Sequence, residues 1–331
     1  MARAIEQLGS GLRAGYAGLG MHGDEPGSVG QQVHDGDTLA VRLTGRDQQE
    51  EVGNLSVRFL GVDAPEVSFT LPDRPNVFVS LGNPSWEAYL ENPLTDDFRR
   101  ELGSSLAGFL EEKVGADAAG NHQRHAEAAH RALEQEILND IEELELESEV
   151  FRFFFAFAHD VMDGYGRLLC YVNRYEPGWD GSPSRYNERL LAAGMVTPYF
   201  IWPNTDPFRH AGSLIEAVPP PGGAAEQARR SRTLSQARDA VRNAREQQIG
   251  VFQGDDPLRL LPFEVRILGR REPPSRWVLD LSEENDVLIQ PREYHRIPNP
   301  EDRLFVSEEF VPLFVEKGWR RQAFPGDGLS P

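Results

Sequence analysis

A chain of 331 residues with one cysteine, Cys170, can form no internal disulfide and cannot build a cysteine-type zinc site alone. Long hydrophobic runs are missing as well. No stretch of about 18 apolar residues occurs, which excludes a hydrophobic membrane-spanning helix. The segment from Met1 to Gly23 holds Arg3 and Arg13 but no continuous apolar stretch, so no secretory signal is expected. Positive charge is scarce: 34 Lys and Arg stand against 53 Asp and Glu, a formal charge of −19. Such acidity argues against non-specific nucleic-acid binding by the whole surface. What remains is sufficient for a core. Hydrophobic residues make up 39%, and the length suits about two domains or one large one. These features predict a soluble cytoplasmic protein.

Residues 1–30 are rich in glycine and small polar side chains and read as a flexible N-terminal arm with a short strand at most. Alternation then appears in Thr38-Leu39-Ala40-Val41-Arg42-Leu43 and in Leu55-Ser56-Val57-Arg58-Phe59-Leu60, around a polar loop from Thr44 to Asn54. Two such runs predict antiparallel strands. Residues 67–84 look proline-rich and irregular. Helical spacing follows from Trp86 to Val114, where Phe98, Leu102, Leu106, Phe109 and Leu110 recur at three and four, and a second helix is predicted over His122 to Glu147. Strand character returns at Phe151–Phe157 and Leu168–Val172. Tyr186 to Met195 reads as a short helix stopped by Gly194. Ala224 to Gln248 reads as one long Arg-rich helix, and Pro257 opens a final segment of short strands and turns.

Three clusters carry chemistry: His34-Asp35-Gly36-Asp37-Thr38, Arg58-Phe59-Leu60-Gly61-Val62-Asp63-Ala64-Pro65-Glu66 and Asp163-Gly164-Tyr165-Gly166-Arg167. Singly they are turns and a strand exit. Together they suggest a site. Asp37 and Asp63 both lie at strand edges, where neighbouring strands can bring two carboxylates to one point and where substitution is expected to spare the fold. Two carboxylates, a backbone carbonyl and water suit a hard divalent cation. Glu66 could hold a water there as general base, and Arg58 and Arg167 offer planar forks for phosphate oxygens. Those are the parts of a phosphodiesterase.

The order of these motifs, with an arginine inside each of the last two, resembles the staphylococcal nuclease (thermonuclease) family. Asn187-Glu188, Leu190-Leu191 and Gly194 look like that family's following helix, and Pro203-Asn204 and Ile249-Gly250-Val251-Phe252 fit its closing segments. The likeness covers residues 31–66 and 150–253. It implies an α+β fold: a five-stranded OB-like β-barrel with helices, here as a nuclease-like domain over 31–253. It also implies calcium as cofactor, DNA or RNA as substrate, and 3′-phosphate products. Carried over, Asp37 and Asp63 would ligate calcium together with the carbonyl of Ala64. Glu66 would orient the attacking water, Arg58 and Arg167 would clamp the phosphate, and Tyr165 and Tyr199 would contact the nucleotide.

Departures from the pattern mark what is particular to this chain. Ala64 stands where familiar members have threonine. A helical, acidic insertion at 67–149 separates the motifs; residues 85–150 hold five cations and 17 acids, a net of −12. Residues 257–331 match nothing in the family and read as a small C-terminal accessory domain. That domain or the insertion could bind a protein partner. The insertion could gate substrate entry or serve as a solvated face, and the Arg-rich helix could face phosphate or pair with the insertion. His122, His125 and His130 read as part of a solvated helix surface. The functional reading is a calcium-dependent nuclease, and the alternative is a nuclease-fold binding module without turnover.

Overall fold

The computed structural model describes residues 5–8, 11–23, 25–44, 51–176, 185–208 and 212–323. Part of the loop expected between Thr44 and Asn54 lies outside them. Five strands close on themselves in the order Arg13–Leu19, Phe153–Phe157, Leu168–Arg174, Glu51–Phe59 and Thr38–Thr44, which pairs back to Arg13–Leu19. One junction is parallel, with Cys170 opposite Phe59; the other four are antiparallel. Closure leaves no open edge among the five. The pleat sends Leu39, Val41, Val57, Phe59, Phe153, Phe155, Phe157, Leu168, Cys170 and Val172 inward to one core. The fold is therefore α+β with an OB-like five-stranded barrel and helices.

The arm reading of residues 1–30 is corrected here, because Arg13–Leu19 is a barrel strand buried along nearly its whole length. Its Ala14, Gly15, Ala17 and Gly18 give no apolar alternation to read, yet small residues are what a strand paired on both sides can pack. The irregular reading of 67–84 is corrected too. Ser68–Leu71 and Arg74–Ser80 form a hairpin, with Pro75 on an exposed stretch where no ladder donor is needed.

The insertion forms three short helices, Pro84–Leu90, Asp96–Leu102 and Ser104–Glu111, and one long helix, Ala118–Glu143. Asn83 caps the first, with Pro84 at its first position, and Thr95 caps the second, so the expected continuous spacing is cut by local capping chemistry. The long helix buries Ala129, Leu133, Ile137 and Ile141 in the barrel core. Its N-terminal Ala118 and Ala119 join a second core, made by the hairpin, the short helices and the C-terminal segment.

That C-terminal segment brings the helix Pro262–Arg270 and the strands Trp277–Asp280 and Arg303–Val306. The two strands extend a four-stranded sheet whose other members are Thr197–Trp202 and Gly61–Asp63. Gly61, at φ 76°, turns the chain out of the barrel strand Glu51–Phe59 into this second sheet. Among the described residues no helix is long and apolar enough to cross a membrane.

Candidate active site

Asp37 ends the turn before the strand Thr38–Thr44. Its N–H donates to Asp35 Oδ1 at 3.0 Å, and its carbonyl accepts from Phe59 N–H at 2.9 Å, so the turn is pinned to the neighbouring strand. Gly36 is required by close approach: a Cβ there would lie 2.6 Å from Ala129 Cβ and 3.0 Å from Ala64 Cβ. The long helix of the insertion therefore presses directly on the site turn. Asp63 ends the strand Gly61–Asp63, where its carbonyl accepts from Thr197 Oγ1 at 3.0 Å. Asn187 holds the approach to that strand, donating to Leu60 O at 2.8 Å while accepting from Val172 N–H at 2.9 Å.

Val57 and Phe59 point into the barrel, so Arg58 between them points out. Its fork bridges the two aspartates, donating to Asp37 Oδ1 and, at 2.5 Å, to Asp63 Oδ1. Ala64 N–H donates to Asp37 Oδ2 at 2.6 Å. Glu66 follows, its N–H donating to His122 Nε2 at 2.8 Å. Asp37, Arg58, Asp63, Ala64 and Glu66 thus lie together, as the motif order suggested.

Arg167 and Tyr165 find their partners outside that cluster, and Tyr199 borders it, its ring 5.9 Å from the guanidinium of Arg266. Leu169 pairs with Arg58 across the parallel junction, so Arg167, two residues earlier, shares Arg58's outer face. Its guanidinium nevertheless turns to Asp163, with Nε to Oδ2 at 2.8 Å. Tyr165 is 74% exposed at the hairpin tip, and its hydroxyl accepts from Arg270 at 3.0 Å. Tyr199 is covered: Phe263 stacks on it at 5.4 Å, and its hydroxyl accepts from Arg276 at 2.8 Å.

Sequence reasoning missed Arg266. From the helix Pro262–Arg270 it donates to both oxygens of Asp63, at 3.0 and 2.8 Å, and to Glu66 Oε1 at 2.5 Å. The one available signal was the pair Arg266 and Arg270, four apart and therefore on one helical face. His122 was also misread. It and His125 are buried, not part of a solvated surface, because the helix turns that face toward the site and the C-terminal segment.

Burial drives the Glu66 carboxyl above its ordinary value, against the opposing charge of Arg266. Burial likewise raises Asp37, against Arg58. At Asp63 burial is outweighed by Arg266 and Arg58, and that carboxyl lies below its ordinary value. His122 is driven down to about 3 by burial. It is neutral, as an Nε2 that accepts a hydrogen bond requires.

The expected Arg-rich helix is two helices, Ala224–Arg230 and Arg232–Glu246, divided at Ser231. Arg238 is buried against Asp302 at 2.5 Å and the carbonyls of Leu281 and Glu301, and Arg245 meets Glu301 at 2.8 Å. These arginines fasten the C-terminal segment. The acidic insertion pairs with barrel-side arginines instead, Asp140 lying 3.1 Å from Arg174 and 2.7 Å from Arg189.

No family model matches the chain. Over 148 residues, 45% of this chain, it is 28% identical to a protein of Bacillus subtilis (strain 168) named endonuclease YhcR. The match spans 9% of that relative's length. This distant, partial likeness and the closed five-stranded barrel fit a nuclease-like family.

Proposed function

We propose that the chain is a nuclease hydrolysing phosphodiester bonds of DNA or RNA at the centre formed by Asp37, Arg58, Asp63 and Glu66. The observation that carries this reading is the gathering of three carboxylates around two arginines, Asp37 and Asp63 on the outward-facing Arg58 and Asp63 and Glu66 on Arg266, at the point where a barrel strand passes into the second sheet. Glu66 holds the attacking water and takes its proton; burial raises its pKa toward the range useful for a base at neutral pH. A guanidinium has five N–H donors. Arg58 spends only part of its set on the aspartates, and the rest can meet charge growing on the phosphoryl oxygens. Arg167, on the same face, is the second clamp once it leaves Asp163. Tyr165, exposed beside it, is the group nearest to hand for a nucleotide.

The carboxylates offer calcium the right kind of oxygen, but in this arrangement they do not fit it. Both oxygens of each aspartate already accept from a guanidinium or a backbone N–H. Among the described residues no group of three or more His, Cys, Asp or Glu side chains is set to hold a metal ion. The same crowding favours a second reading, a nuclease-fold module that binds nucleic acid or protein without turnover.

Cleavage of single-stranded DNA, duplex DNA and RNA, each with calcium, magnesium or chelator, separates the two. The nuclease reading expects cleavage by the parent, with kcat lowered by about 10²–10⁴-fold in Glu66→Gln and little change in KM. Binding with no cleavage under any ion supports the second reading.

A further inference from the structure

We propose that the guanidinium of Arg266 occupies the position a divalent cation would take, so that the carboxylate centre of this chain is closed to calcium and magnesium while Arg266 is in place. The contact is bidentate on Asp63 and extends to Glu66, which makes Arg266 a shared positive centre for two of the three carboxylates. Arg58 bridges the two aspartates as well, sharing Asp63 Oδ1 with Arg266. Two permanent cations therefore meet these carboxylates, and a guanidinium does not lose its charge at any working pH.

Arg266 is not carried on a loose flap. Its helix buries Val265, Ile267 and Leu268 in the second core. Glu264, two residues earlier on the same helix, is buried and held by Lys113 at 2.8 Å and by the Tyr294 hydroxyl at 2.8 Å. At Gly269 a Cβ would lie 2.6 Å from Thr70 O, so the helix sits hard against the hairpin strand. Its neighbours hold the surrounding groups as well: Phe263 stacks on Tyr199 and Arg270 meets Tyr165. The helix is a fixed wall, and the arginine on it is a fixed charge.

The inference rests on the nuclease-type reading of the centre; ion uptake is read without nucleic acid and that reading by the cleavage assay above, so the two fail separately. The full chain is titrated with calcium chloride, and then with magnesium chloride, by calorimetry. The parent should show no saturable uptake. Arg266→Ala and Arg266→Gln, checked for folding by circular dichroism, should each take up one calcium ion with a Kd of roughly 10⁻⁴–10⁻³ M. Asp63→Asn added to either should abolish that uptake. Saturable uptake by the parent that Asp37→Asn removes would overturn the inference, as would folded Arg266 variants that take up none. Should both replacements unfold the chain, the parent decides alone: silence across the titration supports the inference and an Asp37-dependent site ends it. Cleavage that requires calcium sinks the inference and leaves the nuclease. Calcium uptake by Arg266→Ala from a chain that never cleaves does the reverse.

Discussion

Asp63 is itself fully buried and shares its oxygens between two arginines, so its charge is structural as much as chemical. Its place at a strand end suggests that it can be replaced cheaply, but its burial argues otherwise. Asp63→Asn leaves Arg58 and Arg266 facing each other with too few acceptors, and stability should fall by about 3–5 kcal/mol in urea denaturation. A loss below about 1 kcal/mol would mean that the arginines relax into solvent. His122 gives a pH dependence of defined sign. Unfolded, it titrates near its ordinary 6.5; folded, burial holds it at about 3. Between those values the unfolded chain binds the extra proton, so stability is full above about pH 6.5 and declines as pH falls toward 3. The contribution is on the order of a few kcal/mol. Denaturation at about pH 7 and about pH 5 should show a larger acid loss for the parent than for His122→Gln, whose side-chain oxygen can still accept from Glu66 N–H. Equal losses would remove His122 from the account.

Among the elements, the long helix Ala118–Glu143 packs against the turn at Gly36 with no room for a side chain. Gly36→Ala places a methyl 2.6 Å from Ala129, and the overpacking should cost about 1–3 kcal/mol, read as a lowered Tm. Ala129→Gly in the same chain should recover part of that loss even though glycine weakens the helix. An unchanged Tm for Gly36→Ala would show that the helix yields. The same element shows which parts of the sequence were readable. Four barrel strands announced themselves through alternation of Val, Leu and Phe, and Asp37, Arg58, Asp63 and Glu66 through short motifs. The strand Arg13–Leu19 was silent because Ala14, Gly15, Ala17 and Gly18 carry no period. Arg266 was silent for a different reason. Its contact with Asp63 joins residues 203 positions apart, and no local pattern encodes which acid a lone arginine will meet. His122 was misassigned because its helix has two buried ends in different cores, a property of its neighbours and not of its own spacing.

Taken as a whole, the molecule is stitched from both ends. Trp277, Leu279, Leu304, Val306 and Phe314 lie in the same core as the barrel strands, and Phe263, Val278 and Phe305 lie in the core of the insertion. A chain ending at Asp256 would expose both sets of partners, each large side chain being worth about 1.5–3 kcal/mol of burial. Such a chain should lose cooperative unfolding and bind a hydrophobic dye. A truncated chain that melts sharply would instead mark residues 257–331 as an accessory domain able to come and go. Removal of Ala116–Glu147 should likewise unfold the protein, since Leu133 and Ile137 wall the barrel. An electrostatic role for the insertion is therefore better probed by neutralising exposed acids than by excision.

The single thiol of Cys170 lies inside the closed ring of strands, opposite Phe59 and without solvent exposure, and burial raises its pKa. A ring cannot peel from an edge, so a reagent reaches this sulfur only when the ring breaks. The chain consequently carries its own kinetic reporter. Modification by a chromogenic disulfide should proceed at the rate of global opening, and its urea dependence should match that of unfolding followed by fluorescence. Labelling orders of magnitude faster than unfolding would reveal a seam in the ring, and the parallel junction between Leu168–Arg174 and Glu51–Phe59 would be the place to seek it.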